Sequence, residues 1–505
     1  MSKNVIFRVS IFLLFASAFL RFFYPTLADA DLWGHIKFGQ DIYETRSITR
    51  FDTYSYSSFG APWINHEWLS ELIFYILFKI AGNAGLICLR HAIVIGILWL
   101  VWLVVNRATK SMFLKLLFII VLMNGIASGF AIRPQIFTYF FFTLLLFLIY
   151  RFEEAADRRF LYPIPLFMLL WCNLHGGFVA GIGVILFYAL SKIISGRLKK
   201  EIILLAACSI IATMVNPYGI KLWLFLGRSL SMSRSPITEW QIVSAEFKFL
   251  SYFFMVLLTV IAFVFSRQKK SFYITGILLI AFIFSFLHYR HTVLFCILAA
   301  VYIPGHIDSI LGQRLIILEQ GVSRQFLAVV FIVVSVFYIS MYFPGLAARN
   351  FPLNPAEILV DEDEYPVNAV KFMKDNKIGG NIFCWFNWGE LCISGLSPAA
   401  KVFIDGRYET VYNDDLIENY FKLVGAQIDY RTYLKHFPET DVMFLESACA
   451  LSSKIFKDKE WVPVYLTDEA VIFLKKNERN AHLWGQFKNH KLIYEQHAQK
   501  FSKFK

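Results

Sequence analysis

Two aspartates at the start of a polar segment are the residues of this sequence best suited to chemistry. Asp29 and Asp31 are separated by one alanine, and they follow an apolar run that ends at Phe23. Two carboxylates at this spacing repel one another unless a cation, a basic group or a proton compensates them. The pair can therefore act as a general base or ligate a hard divalent cation such as Mg²⁺ or Mn²⁺, and a solvated loop entry is the alternative.

Imidazoles and a third carboxylate lie in the same polar segment, residues 27–69. His35 follows soon after the aspartates, and His66 and Glu67 stand near the end of the segment. Residues 32–36 are amphipathic, which favours a position at the interface of a bilayer. Acids and imidazoles near a low-dielectric surface are costly unless they compensate one another or a bound ion. We therefore expect them to converge with the aspartates in one cavity at the outer membrane face.

Three basic side chains are candidates for binding a phosphate group. Arg133, Arg290 and His291 stand at ends of apolar runs that the charge pattern places outside, where the topology rule disfavours cations. A cation in such a place usually has an anionic partner. Arginine binds phosphate through two hydrogen bonds, so a phosphate group is one candidate partner, and the local acids Asp29, Asp31 and Glu67 are the alternative.

His175 lies in a polar interruption, residues 173–177, between two apolar runs that are both short for a bilayer. Polar groups at membrane depth are tolerated where they line protein or a wet cavity. We therefore expect His175 to face the same cavity as the acidic segment. A histidine satisfied between helices is the alternative.

The composition of the whole chain excludes a soluble protein. The chain has 505 residues, of which 57% are apolar and only 17% are charged, and its mean hydropathy is +0.55. The net charge of +12 does not indicate nucleic-acid binding, because the Lys and Arg residues lie in short clusters between apolar runs. Such clusters carry information about membrane topology instead.

Apolar runs and basic clusters together predict the topology. Every basic cluster falls on the cytoplasmic side if the chain starts inside and crosses the membrane about eleven times. The prediction is a polytopic α-helical membrane domain over residues 1–345, with a cytoplasmic N-terminus and a large first external loop over residues 25–71. Residues 72–81 are too short to cross and are expected at the interface.

The remaining residues, 346–505, predict an extracytoplasmic α/β domain. Five runs have the length and pattern of strands, and one segment has the pattern of a helix. The strands are predicted at residues 381–386, 401–404, 441–445, 461–465 and 470–474, and the helix at residues 414–423. Asp405 and Arg407 follow the second strand, where α/β folds commonly carry functional groups. A structural ion pair at a tight turn is the favoured alternative for these two residues.

The arrangement resembles the GT-C glycosyltransferases, membrane enzymes that use polyprenyl-phosphate-linked sugars. Asp29-Ala30-Asp31 stands in the first large external loop after the first span, where that superfamily carries its catalytic acid. The stretches DADLWGHIKFGQDI, PWINHEWLSE, NLHGGF and KVFIDGRYETVY are also similar to a group of bacterial membrane proteins labelled glycosyltransferase-like. The chain lacks the W-W-D-type tail motif of oligosaccharyltransferases, so oligosaccharide transfer to asparagine is not expected.

The resemblance implies a hexosyl- or pentosyltransferase of the bacterial inner membrane. Its donor would be a polyprenyl-phosphate-linked sugar and its acceptor a lipid or polymer of the cell envelope. Asp29 or Asp31 would be the base, and Arg133, Arg290 or a divalent cation would hold the phosphate. His35 and His66 would complete the pocket. Two other functions remain open: a transporter or flippase of a lipid-linked anion, and a non-catalytic envelope assembly protein.

Overall fold

The computed structural model describes residues 3–229, 234, 237–348 and 354–483, which divide into two units. The first comprises Met1–Thr26 and Ile80–Leu359, and we call it the helical unit. The second comprises Leu27–Lys79 and Val360–Lys505, and we call it the α/β unit. Residues 484–505 of the predicted tail domain lie outside the described part of the chain.

Helices make up most of the described chain. Up to residue 348 they are α1 Lys3–Phe23, α2 Leu32–Thr45, α3 Trp68–Ala81, α4 Asn83–Ala108, α5 Met112–Ala127, α6 Gln135–Ala155, α7 Ile164–Leu174, α8 Phe178–Ile194, α9 Lys200–Thr213, α10 Ile220–Ser229, α11 Leu250–Phe265, α12 Phe272–Leu287, α13 Thr292–Tyr302, α14 Pro304–Ile307, α15 Gln313–Gly321 and α16 Arg324–Ala348. Beyond residue 354 they are α17 Val367–Asp375, α18 Gly389–Leu396, α19 Asp414–Val424, α20 Tyr430–Leu434 and α21 Ala450–Ile455.

The strands are short and lie mostly in the tail. They are β1 Thr26–Leu27, β2 Ile358–Leu359, β3 Gly380–Cys384, β4 Ala400–Val402, β5 Thr440–Glu446, β6 Trp461–Leu466 and β7 Ala470–Lys475. All five strands predicted for the tail are present within two residues of their predicted bounds, and the predicted helix is α19. The predicted α/β character of the tail is therefore confirmed.

Three of the described helices are long and apolar enough to cross a membrane: α1, α4 and α6. A fourth candidate is a bent pair, Tyr289–Tyr302 with Pro304–Gly321, whose two parts meet at 50°. Shorter apolar helices include α5, α8, α11 and α12. The predicted apolar runs thus fold as helices, while the count of about eleven spans stays a prediction.

The polar interruption predicted at residues 173–177 separates two helices. Helix α7 ends at Leu174 and α8 begins at Phe178. Gly177 allows a close approach at this break, because a Cβ there would lie 2.3 Å from Thr138 Oγ1 of α6. The predicted pair of short helices is therefore confirmed.

A buried arginine fixes the end of the first helix. Arg90 of α4 donates hydrogen bonds to the carbonyls of Phe23 and Phe130, at 2.8 and 2.5 Å, and to Thr26 Oγ1 at 2.8 Å. A buried guanidinium is tolerated when its donors are satisfied in this way. Arg90 therefore fixes the backbone of the helical unit at the point where the chain leaves α1.

The α/β unit is built on a five-stranded sheet in the order β4-β3-β5-β7-β6. Strands β4, β3 and β5 are parallel, while β7 runs antiparallel to both β5 and β6. Parallel neighbours present their carboxyl ends at the same edge of a sheet. The segments after β3 and β4, which carry Glu390 and Asp405, therefore leave the sheet at one edge.

Residues 27–79, which include the polar segment, pack with the tail in the same unit. The N–H of Tyr56 donates to the carbonyl of Val402, and the N–H of Val402 donates to the carbonyl of Tyr54, both at 3.0 Å. Residues 54–56 thus extend the sheet beyond β4. Helix α2, which follows the two aspartates, packs against α18 of the tail.

Candidate active site

Asp31 stands at the start of helix α2, where its position is set by local hydrogen bonds. Asp29 Oδ1 accepts the N–H of Asp31 at 3.2 Å, and the carbonyl of Asp31 accepts the N–H of His35 at 3.0 Å. An aspartate that binds the backbone two residues further on forms a tight local turn. Asp29 therefore helps to shape the loop, whereas no such bond to the backbone is present for the carboxylate of Asp31 at this helix start.

The carboxyl groups of Asp31 and Glu390 line a space that two glycines leave free. A Cβ on Gly406 would lie 2.4 Å from Asp31 Oδ1 and 2.8 Å from Glu390 Oε1. A Cβ on Gly34 would lie 1.9 Å from Glu390 Oε2. Only glycine fits at either position, so α2 and the turn after β4 are shaped around these two carboxyl groups.

Glu390 is a buried carboxyl group with an unsatisfied oxygen. The residue is 3% exposed, and Oε2 has no hydrogen-bond partner among the described residues. Burial raises the pKa of Glu390 well above its ordinary value, and the negative charges of Asp31 and Asp405 raise it further, while Arg407 opposes the shift. The surroundings therefore favour the protonated form of the Glu390 carboxyl group.

A second group of ligating side chains joins α2 to the start of α3. His35, Glu67 and Glu71 each present one atom such that all three atoms lie within 4.8 Å of one another. His35 Nδ1 is 3.6 Å from Glu71 Oε1, and His66 Nε2 is 3.7 Å from Glu67 Oε1. This geometry matches what a bound cation needs, and it involves other residues than Asp29 and Asp31.

Charge and burial compete in the pair of His35 and Glu71. Burial alone would lower the pKa of His35, but the carboxylates of Glu71, Glu67 and Asp31 outweigh it and raise the pKa. Burial raises the pKa of Glu71, opposed by His35 and by Asn65, whose Nδ2 donates to Glu71 Oε2 at 2.5 Å. The environment therefore favours the charged form of His35 and disfavours the charged form of Glu71.

Arg407 forms the ion pair that was the favoured alternative at the turn after β4. Its Nη2 lies 2.7 Å from Asp405 Oδ2 and its Nε donates to Asp405 Oδ1 at 2.8 Å, while Nη1 lies 2.6 Å from Asp52 Oδ1. Tyr412 donates to Asp405 Oδ2 at 2.5 Å, and the guanidinium stacks on Trp63 at 4.9 Å. Burial opposes the charge of Arg407, but Asp405, Tyr412 and Asp52 together raise its pKa.

The predicted phosphate-binding cations belong to the helical unit. Arg133 Nη1 lies 2.9 Å from Glu239 Oε1, a carboxylate partner that the sequence analysis did not name. The guanidinium of Arg290 lies 4.8 Å from the ring centre of Trp240, and the ring of His291 lies 6.0 Å from it. Arginine thus stacks here on an aromatic ring, at the end of an apolar helix.

His175 is held by neighbouring helices. Its Nδ1 lies 2.7 Å from Thr138 Oγ1 and accepts the N–H of Gly177 at 2.9 Å. Trp171 Nε1 donates to the same hydroxyl at 2.8 Å, so the hydroxyl proton of Thr138 is directed at His175. These contacts are those of a histidine satisfied between helices, and its predicted role in a cavity stays a prediction.

Three residues of these clusters were not predicted as site residues. Glu390 lies in the stretch Asn387-Trp388-Gly389-Glu390, which stands out in the tail sequence, and Glu71 ends the stretch PWINHEWLSE. The spacing of Glu67 and Glu71 places both near the first turn of α3, a signal that was readable. Asp52 carries no comparable signal, because its partner Arg407 is remote in sequence.

No protein-family model matches the chain, and no curated protein matches its sequence. Solved structures do match its fold. The Archaeoglobus fulgidus oligosaccharyltransferase in the apo form matches with a TM-score of 0.57 at 12% identity, over 94% of this chain and 75% of that chain. Archaeal oligosaccharyltransferase AglB from the same organism, in complex with an inhibitory peptide and a dolichol-phosphate, gives 0.55 at 12% identity, over 86% and 69% of the two chains.

A third match is ArnT from Cupriavidus metallidurans bound to undecaprenyl phosphate. Its TM-score is 0.50 at 10% identity, and the match covers 94% of this chain and 98% of that chain. All three are similar to this chain in the path of the backbone rather than in sequence. The chain therefore shares its fold with these three solved structures, as the resemblance to the GT-C glycosyltransferases implies.

Proposed function

We propose that this protein is an inverting glycosyltransferase that takes a sugar from a polyprenyl-phosphate-linked donor and passes it to a lipid or polymer acceptor. The observation that carries the proposal is the GT-C fold over 94% of the chain. Two of the matched structures contain a polyprenyl phosphate, dolichol-phosphate in one and undecaprenyl phosphate in the other. The proposed location is the bacterial inner membrane, with the N-terminus inside and the α/β unit outside.

In the proposed reaction Asp31 is the general base. The acceptor hydroxyl attacks the anomeric carbon while its proton passes to the carboxylate of Asp31. The bond between that carbon and the phosphate oxygen breaks at the same time, and its electron pair leaves with the polyprenyl phosphate. Asp31 is preferred over Asp29 because Asp31 Oδ1 lies with the carboxyl group of Glu390 in the space beside Gly406.

Glu390 supports this role of Asp31. Its carboxyl group shares the space beside Gly406 with Asp31, and burial raises its pKa, which favours the neutral form. A neutral neighbour leaves the charge of Asp31 intact, whereas an ionised one would repel it. Glu390 thereby acts as a positioning residue for the base.

The departing phosphate needs positive charge, since a phosphate oxygen gains charge as its bond to the sugar breaks. Arg133, Arg290 and His291 are proposed as phosphate-binding residues. A divalent cation would supply the same stabilisation when bound. His35, His66 and Glu67 would line the pocket next to Asp31.

The test is a transfer assay with the purified full-length protein in lipid vesicles. Vesicles contain polyprenyl-phosphate-linked hexoses or pentoses together with lipid or polymer acceptors of the cell envelope, and acceptor-dependent release of free polyprenyl phosphate is measured. We expect release with at least one donor, and a loss of about 100-fold or more in the double variant Asp29→Asn with Asp31→Asn. Asp468→Asn, an exposed aspartate of the same unit, is the matched control.

Two outcomes would contradict the proposal. Full release by the double variant would exclude both aspartates as the base. Movement of an intact donor across the bilayer, with its sugar–phosphate bond unbroken, would instead support a flippase.

A further inference from the structure

Helices α2 and α3 of the α/β unit bring one imidazole and two carboxylates together. His35 comes from the first turn of α2, Glu67 immediately precedes α3, and Glu71 lies in the first turn of α3. Their ligating atoms lie within 4.8 Å of one another. His35 and Glu71 are buried and Glu67 is half-buried, so water does not freely compensate the group.

His35 supplies the observation that points to a ligand. The residue is 7% exposed, and Nδ1 has no hydrogen-bond partner among the described residues. This nitrogen faces Glu71 Oε1 at 3.6 Å, which is too long for a hydrogen bond. Two ligands of one tetrahedral metal ion, bound at about 2.1 Å each, stand roughly 3.4 Å apart. The observed spacing is therefore that of two ligands on a shared cation.

Asn65 holds the carboxylates in place for such an ion. Its Nδ2 donates to Glu71 Oε2 at 2.5 Å, and its Oδ1 accepts the N–H of Glu67 at 3.2 Å. One oxygen of Glu71 is thus engaged, and the other faces His35. Partners that orient ligating carboxylates in this way are a regular part of metal sites.

An ion pair between His35 and Glu71 is the alternative that needs no metal. A close pair would bring Nδ1 to hydrogen-bond distance of Glu71, because a buried charge is costly without a direct partner. The observed gap of 3.6 Å does not make that bond.

We infer that His35, Glu67 and Glu71 bind a divalent transition-metal cation, Zn²⁺ or Mn²⁺. A set of one imidazole nitrogen and two carboxylate oxygens suits these ions better than Mg²⁺ or Ca²⁺, which prefer oxygen ligands alone. The site differs from the one predicted from the sequence, in which Asp29 and Asp31 hold the cation. It does not depend on the proposed transferase activity, since cation binding is measured without a donor.

The test is metal binding by the purified full-length protein in detergent, after removal of metal with a chelator. Zn²⁺, Mn²⁺ and Mg²⁺ are added separately, and bound metal and Tm are measured. We expect about one Zn²⁺ or Mn²⁺ per chain, a rise in Tm of several degrees and at least about 10-fold weaker binding of Mg²⁺. In Glu71→Gln and His35→Gln, affinity should fall by about 10-fold or more.

Two further variants distinguish the loss of a metal ligand from the loss of the fold. Glu67→Gln changes a half-buried ligand, so it tests the site if the buried variants fail to fold. Asp458→Asn changes a buried carboxyl group of the same unit that is not in the ligand group, and it should bind the metal as the wild type does. Wild-type affinity in Glu71→Gln, or equal losses in Glu71→Gln and Asp458→Asn, would overturn the inference. A chain that binds Zn²⁺ but transfers no sugar would contradict only the proposed function.

Discussion

The α/β unit contains two clusters of buried ionisable side chains, which differ in how completely their polar atoms are hydrogen-bonded. Around Arg407, both oxygens of Asp405 accept hydrogen bonds from the guanidinium, and Asp52 completes the set. In the cluster of Asp31, Glu390 and His35, one oxygen of Glu390 and one nitrogen of His35 are buried without a hydrogen-bond partner among the described residues. The charges of the first cluster are paired with one another, whereas the second cluster leaves these two atoms without a hydrogen bond in the described part of the chain.

The difference separates a structural role from a functional one. A buried charge whose hydrogen-bonding partners are well placed costs little net stability. Removal of one partner is strongly destabilising, because the remaining charge is then buried and unpaired. An unsatisfied buried polar group costs about 1–3 kcal/mol, so it persists where it has a use. We therefore assign the Arg407 cluster to holding the polar segment on the tail, and the Asp31 cluster to chemistry and binding.

The largest expected effect on stability comes from Arg407→Met. The substitution leaves Asp52 and Asp405 buried without a cation, and we expect the free energy of unfolding to fall by about 3–5 kcal/mol. Arg431→Met is the matched control, since Arg431 pairs with Asp458 but is 63% exposed, and it should cost less than about 1 kcal/mol. Denaturant unfolding of both variants measures this. Equal losses would mean that the Arg407 cluster is not the structural one.

A smaller effect is expected from Gly34→Ala. The new Cβ would lie 1.9 Å from Glu390 Oε2, so the helix or the carboxyl group must shift, at about 1–3 kcal/mol. Adding Glu390→Ala should restore part of this loss, because it removes the overlapping atoms, and a double-mutant cycle measures the coupling. Gly183→Ala, whose Cβ would meet nothing within 4 Å, is the control. Additive effects in the cycle would show that Gly34 does not make room for Glu390.

The smallest effect is a change in pH dependence in Glu390→Gln. The pKa of Glu390 is raised in the folded state, so the folded protein binds more protons than the unfolded chain above about pH 4.5. Stability from this group is present below the unfolded pKa and is lost as pH rises through the folded pKa. The Tm of Glu390→Gln should therefore exceed that of the wild type increasingly from about pH 5 to 8, by a few degrees.

Thermal melts across this pH range test the effect. The control is Glu460→Gln, because Glu460 is an exposed glutamate of the same unit. A difference in Tm that is constant with pH would show that Glu390 does not change its proton binding on folding.

The sequence predicted the elements well because their signals are local. The five tail strands carry their own apolar patterns, and the polar interruption before α8 marks its own break. The ion pair of Asp405 and Arg407 was also readable, since the two residues are neighbours in one turn. Each of these predictions depends on a few adjacent residues.

Long-range packing was not readable in the same way. The pairing of residues 54–56 with Val402 joins parts of the chain far apart in sequence, so no local pattern marks it. The partners of Arg407 and the neighbours of Glu390 follow from that pairing, which is why Asp52 and Glu390 were missed. The predicted convergence of Asp29, Asp31, His35, His66 and Glu67 in one cavity stays a prediction.

The rate of polyprenyl-phosphate release by Asp31→Asn, relative to Asp52→Asn and normalised to folded protein, tests the central claim most directly. We expect Asp31→Asn to lose about 100-fold or more of the rate with a Tm within about 2 °C of the wild type. Asp52→Asn should lose stability but keep the rate of its folded fraction within about 3-fold. A wild-type rate in Asp31→Asn would contradict the assignment of chemistry to the cluster of Asp31, Glu390 and His35.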